Sequence, residues 1–358
     1  MLSNSPCRRV VHRLAALMLL LPVGLGACAV QPAPSPPPGT DYARLVAPDT
    51  AIPLPDGTSA PARLWPAQGA PRGVVLALHG FNDSRDAWEI PAPLFTADGL
   101  AVVAPDARGF GGTATRGHWA GTAPMLADIG AEIAWVHGRF PGLPVYLMGE
   151  SMGGALALLV AASEPAPPLA GVILLAPAVW SFDPGSRALM RLLATAAPAW
   201  RFTGNELPVR VHPSDNRQAL LRLYFDPLSL RATRLEAIDG LLGLMHRAAR
   251  PTGPMAVPVL AVYGGRDDLV PQAATRALWN HLPAGVRRDY VPGGHHLLLR
   301  DLRGATTTRD ILSWIDRPEA PLPSGGDIAA AAWMAGWTDA APAPWVPARI
   351  DALAEPSR

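Results

Sequence analysis

From Gly73 onward the chain alternates short, unbroken apolar runs with longer stretches whose apolar residues recur at helical spacing. The runs occupy 73–78 (GVVLAL), 101–104 (AVVA), 145–148, 171–175, 257–263 and 287–291. Between and after them, 87–99, 124–140, 152–162, 273–282 and 303–315 read as helices; in 124–140, Met125, Ile129, Ile133 and Val136 share one face. A strand with no polar alternation is covered on both faces, and strands separated by helices run parallel. The prediction is an α/β chain with a mostly parallel, doubly covered sheet. Ahead of it, Asp56-Gly57 between two short segments predicts an antiparallel hairpin at the sheet edge.

The rhythm breaks once. Residues 180–254 are rich in Leu, Arg and Pro and read as helical over 187–196, 214–225 and 235–249. About 75 residues is too long for a plain connection, so this is an inserted helical cap. The resulting division is 41–179 and 255–319 for the two parts of the core, 180–254 for the cap, and 320–358 for an Ala/Pro-rich extension containing Trp333, Trp337 and Trp345. That extension either packs on the surface or stays loose.

Residues 1–27 read as a signal peptide rather than part of the fold. Arg8, Arg9 and Arg13 precede the apolar run 14–21, and the uncharged span to Ala27 is too short to cross a membrane. Leu25-Gly26-Ala27-Cys28 resembles the bacterial lipobox, which implies a diacylated Cys28 as the new N-terminus; the alternative is an ordinary cleavage site at Ala27-Cys28-Ala29. By the same resemblance Ala29 favours the outer membrane, facing the periplasm, over the inner; a secreted or periplasmic protein is the other reading. Residues 28–40 then form a lipidated, Pro-rich tether, too extended to pack into a core.

Composition excludes several chemistries. All 30 basic residues among the 358 are arginines, so no Schiff-base, pyridoxal-phosphate or Walker lysine is available. The two cysteines, Cys7 and Cys28, cannot build a disulfide framework or a cysteine zinc site. A formal net charge of +1 with no basic stripe gives no footprint for nucleic acid. No metal or organic cofactor is called for; His118, His212 and His246 are not spaced as metal ligands.

The strongest chemical signal is Gly149-Glu150-Ser151-Met152-Gly153-Gly154, with an apolar strand before it and an apolar helix after it. The glycines permit the sharp turn that lifts a serine Oγ above a sheet, and the helix start supplies unpaired N–H groups. Such a hydroxyl needs a base and the base an orienting acid, in the order Ser, Asp, His. Asp267-Asp268 follows one later strand and His295-His296 the next, both at strand ends where catalytic groups of open α/β sheets gather. An oxyanion hole would use the backbone N–H groups of Met152 and Phe81, with His79 bracing the loop that carries Phe81.

The run His79-Gly80-Phe81 to Trp88, then Pro105-Asp106-Ala107-Arg108-Gly109-Phe110-Gly111, Phe140-Pro141-Gly142-Leu143-Pro144-Val145, Gly149 to Gly154, Asp226-Pro227, Gly265-Arg266-Asp267 and Gly294-His295-His296 resembles the monoacylglycerol lipase and lysophospholipase branch of the α/β-hydrolases, often labelled serine aminopeptidase S33-like. The match runs from about Asp41 to Ile315 and departs at Glu150, where His is commoner. The resemblance implies an α/β-hydrolase fold, a Ser151–His296–Asp267 triad, and hydrolysis of monoacylglycerols, lysophospholipids or related carboxylic esters through an acyl-enzyme. By family pattern Asp267 and His296 are the preferred acid and base, with Asp268 and His295 as alternatives. An acyltransferase, an aminopeptidase-like peptidase and a non-enzymatic envelope scaffold are the rival readings. In the cap, Leu189, Met190, Leu192, Leu193, Leu241, Leu242, Leu244 and Met245 either line an acyl-chain tunnel or, for most of them, pack the helices on each other. The oligomeric state is not readable.

Overall fold

The computed structural model describes residues 35–165, 167–203 and 211–336. The signal peptide, Cys28, Trp337 and Trp345 lie outside the described residues. Eight strands form one sheet. β1 (Thr50–Pro53) and β2 (Ser59–Trp65) make the edge hairpin. β3 (Gly73–Leu78), β4 (Leu100–Pro105), β5 (Val145–Glu150), β6 (Gly171–Leu175), β9 (Val259–Gly264) and β10 (Arg287–Val291) are parallel. The spatial order is β1-β2-β4-β3-β5-β6-β9-β10, with β2 antiparallel to β4.

Every residue of β3, β4, β6 and β9 is buried, which is why these segments read as unbroken apolar runs. The pleat sends Val74, Leu76 and Leu78 to one face and Val75 and Ala77 to the other. The first face packs α2 (Thr122–Arg139), α3 (Met152–Ala161) and α7 (Gln272–His281); the second packs α1 (Ala92–Ala97) and α8 (Gly304–Asp316).

Three local expectations change. The helix expected over 87–99 is a 3-10 turn at Arg85–Trp88 followed by the short α1. Pro91 separates them, because proline lacks an N–H and its ring disfavours a helical Ile90. The cap holds α4 (Pro184–Ala196), α5 (Arg217–Phe225) and α6 (Leu235–Ala248), and also a two-residue antiparallel ladder of β7 (Arg201–Phe202) with β8 (Thr233–Arg234) that no periodicity could announce. Third, the extension contributes α9 (Gly326–Met334), packed against β10. Its Trp333 stacks on Tyr290 at 5.0 Å and meets Trp279 edge-on at 5.3 Å, while Arg276 lies over its ring. Among the described residues no helix is long and apolar enough to cross a membrane.

Candidate active site

β3, β5, β9 and β10 run in the same direction, so the loops leaving their C-terminal ends meet on one rim. β5 delivers Ser151 into a turn at φ 55°, ψ −112°, backbone that L-residues rarely adopt. The neighbouring glycines are obligatory: a Cβ on Gly149 would overlap the Gly153 carbonyl, and one on Gly153 the Leu78 carbonyl. The turn is held from β6, with Ser151 N–H donating to Leu175 O at 2.9 Å and Ala178 N–H donating to Ser151 O at 2.9 Å.

The structure separates the members of each acidic and histidine pair. Asp267 is buried; its Oδ1 accepts the N–H groups of Leu269 (2.8 Å) and Val270 (2.9 Å), and its Oδ2 faces His296 Nδ1 at 2.8 Å. An imidazole opposed to a carboxylate through Nδ1 keeps its proton there and leaves the Nε2 lone pair free. Asp268 instead points outward beside His212, 3.5 Å away. His295 turns to Asp301, whose Oδ2 faces its Nδ1 at 3.2 Å and accepts its N–H at 2.8 Å.

Asp301 also takes the Ser214 hydroxyl at 2.7 Å, so His295 ties the histidine loop to the cap's base. Asp215, His295 and Asp301 offer ligand atoms within 4.8 Å of one another, the one such group among the described residues. Hydrogen bonds inside the group, and from Leu302 N–H to Asp215, already engage them.

Neither the Phe81 nor the Met152 N–H donates to a protein acceptor among the described residues. Met152 opens α3, where the first N–H groups have no intrahelical partner. His79 fixes the loop carrying Phe81. Its Nε2 accepts the Ala107 N–H at 3.0 Å, which places the ring proton on Nδ1, 2.7 Å from the Gly80 carbonyl. Gly80 in turn lies against Ser151; a Cβ there would stand 3.5 Å from the serine Cβ.

No hydrogen bond joins the Ser151 hydroxyl to His296 among the described residues. Contacts of this type commonly tighten when substrate is in place. Glu150, the residue before Ser151, is buried, and burial raises its carboxyl above the ordinary value against the opposing pull of Arg300.

Three further charges meet at this rim, of which only Glu150 stands out in the sequence, as the departure where His is commoner. Arg300, four residues past His296, is buried between Asp83 and Glu150. The signal was available in retrospect: an arginine directly after Leu297-Leu298-Leu299 and a glutamate ending an apolar strand each demand a partner when buried.

The fold and this rim define an α/β-hydrolase. The serine aminopeptidase S33 family matches residues 69–303, and the chain belongs to it. Similar proteins include the monoacylglycerol lipase of Mycolicibacterium smegmatis, 26% identical over 262 residues covering 70% of this chain and 91% of that one. The Homo sapiens monoglyceride lipase is 27% identical over 273 residues, covering 74% and 89%. Among solved structures, the monoglyceride lipase of Saccharomyces cerevisiae covers 79% of this chain and 99% of its own at a TM-score of 0.64 and 19% identity. The Paleococcus ferrophilus monoacylglycerol lipase covers 72% and 98% at a TM-score of 0.61 and 22% identity. The chain is a carboxylic-ester hydrolase of this family.

Proposed function

We propose that the protein hydrolyses single-chain lipid esters, monoacylglycerols or lysophospholipids, through a Ser151–His296–Asp267 triad and an acyl-enzyme. The observation that carries this reading is the buried Asp267–His296 pair at the rim where Ser151 stands in its strained turn. His296 Nε2 takes the Ser151 proton as Oγ attacks the ester carbonyl, then returns it to the leaving alcohol. Asp267 fixes the tautomer and stabilises the imidazolium. The oxygen of the tetrahedral intermediate lies in the two unpaired N–H groups of Phe81 and Met152. Water, deprotonated by His296, then releases the fatty acid.

The lipid character of the substrate is supported by the relatives' names and by the cap. Leu189 and Leu192 on α4 are 44% and 65% exposed, an apolar surface suited to acyl chains. Anchoring through a diacylated Cys28, with the domain held on the periplasmic side of the outer membrane, would bring this surface to its substrate.

The test is a chain-length series of glycerol and aryl esters run on wild type and Ser151→Ala, with fluorophosphonate labelling alongside. Ester cleavage and labelling that both vanish in Ser151→Ala are expected. Labelling that survives in Ser151→Ala would sink the assignment, and a retained anilide-cleaving activity without ester cleavage would favour the peptidase instead.

A further inference from the structure

Three loops must be held in register for the reaction above, and a buried cluster of charges touches all three. Asp83 lies two residues beyond Phe81 in the loop after β3, Glu150 directly precedes Ser151 at the end of β5, and Arg300 follows His296 in the loop after β10. All three side chains are buried, at 7%, 3% and 5% exposure. A single nitrogen, Arg300 Nη2, faces Asp83 Oδ2 at 2.8 Å and Glu150 Oε1 in a shorter contact.

Burying two carboxylates around one guanidinium is a poor way to gain stability, because desolvation offsets most of the Coulombic attraction. Apolar side chains would fill this space at least as well. What apolar packing lacks is direction: a charge-assisted hydrogen bond fixes distance and angle between the loops it joins.

The loop is gripped from its other side as well. Ser84 Oγ donates to Asp226 Oδ2 at 2.8 Å, Leu230 N–H donates to Asn82 O at 2.8 Å, and Asn82 Nδ2 donates to Thr233 Oγ1 at 2.5 Å. The loop that carries the Phe81 N–H is therefore set between Arg300 and the segment that joins α5 to α6 in the cap.

We propose that Arg300 is a positioning residue that, through Asp83 and Glu150, sets the spacing of the oxyanion loop, the Ser151 turn and the His296 loop. This rests on the hydrolase reading above. Because one nitrogen bridges both acids, a lysine ammonium could replace it in charge where an isosteric neutral group could not.

The experiment compares wild type with Glu150→Gln, Arg300→Met and Arg300→Lys. It measures kcat and KM on a soluble aryl ester, active-site concentration by fluorophosphonate titration, and thermal unfolding. Per titrated site, Glu150→Gln and Arg300→Met are expected to lose about ten- to a hundredfold in kcat, as small misplacements of reacting groups do. KM should stay within about threefold, and Arg300→Lys should recover most of the loss.

If Arg300→Met does not fold, Glu150→Gln and Arg300→Lys carry the comparison, since both keep the side-chain volume close to native. Folded Glu150→Gln with kcat within about twofold of wild type, or a loss confined to KM, would overturn the clamp while leaving the hydrolase reading in place. A wild type inert to both ester and probe would overturn the hydrolase reading and the clamp together.

Discussion

Helices α3 and α4 are built from similar residues and have opposite fates. α3 begins at the Ser151 turn and carries Leu156, Leu158 and Leu159; all ten of its residues are buried. α4, in the cap, carries Leu189, Leu192 and Leu193, and only Ala194 among its thirteen residues is buried. The apolar residues of α3 cover a sheet whose strand order already fixes the rim. Those of α4 cover little, and its stability rests on a Pro184 start, an Asp183 cap that takes the Ser186 N–H at 3.0 Å, and contact with α6. Leucine content therefore does not separate framework from exposed surface; the element beneath it does. Of the cap leucines and methionines, Leu244 and Met245 on α6 are buried in the core cluster that includes α3, whereas Leu189, Leu192 and Leu193 on α4 stay exposed.

The sharpest way to break this contrast lies at the rim. Asp267→Asn should lower kcat about ten-thousandfold by leaving His296 in the wrong tautomer, while Asp268→Asn should change kcat less than about twofold. Steady-state rates on a soluble ester decide it, and equal losses would show that the rim does not discriminate between the two acids.

Next in size, Trp333→Ala should cost about 3–5 kcal/mol in denaturant unfolding, because its ring is enclosed by Tyr263, Trp279 and Tyr290. An undiminished midpoint would mean that α9 is no part of the framework.

Asp289 supplies a pH signature of the framework. Burial pushes its carboxyl to about 8, with Asp310 and Asp327 adding to the effect, and neither of its oxygens has a hydrogen-bond partner among the described residues. The folded chain keeps this proton to about pH 8, whereas the unfolded chain releases it near the ordinary carboxyl value of 3.8. Stability is therefore expected to fall as pH rises from about 4 to about 8, and to level off above that. Asp289→Asn should flatten this slope and add about 1–3 kcal/mol at pH 8, read from urea titrations across pH.

The smallest effect belongs to α4. Replacing Leu189 and Leu192 together with Ser should alter unfolding by no more than about 0.5 kcal/mol per site. The same change should slow turnover of a vesicle-presented monoacylglycerol relative to a soluble ester. A matching loss on both substrates would place α4 with the framework after all.

Much of this architecture is legible in the residue order. The doubly covered strands show as unbroken apolar runs, and Gly149 and Gly153 reveal the Ser151 turn because no larger residue fits there. The partition of Asp267 from Asp268 and of His295 from His296 depends on loop geometry, and sequence reasoning could prefer a member of each pair only by likeness to a family. The Asp83–Arg300–Glu150 cluster was hidden for a different reason: its members are far apart in the chain, so the apolar runs beside Arg300 and Glu150 mark charges in need of a partner without saying which partner each meets. The β7–β8 ladder is two residues long, below any periodicity, and α9 is short, alanine-rich and without a clear apolar stripe.

The placement of α9 bears on how this enzyme should be produced. The family match ends at residue 303, and the Ala/Pro-rich text after 319 invites trimming. Yet α9 lies directly beneath the two strands whose outgoing loops bear Asp267 and His296. An expression clone stopped at residue 319 would strip the ring of Trp333 from Tyr263 and Tyr290 and leave an oily scar under the strands that carry the Asp267–His296 pair. A soluble preparation should therefore extend at least through Met334.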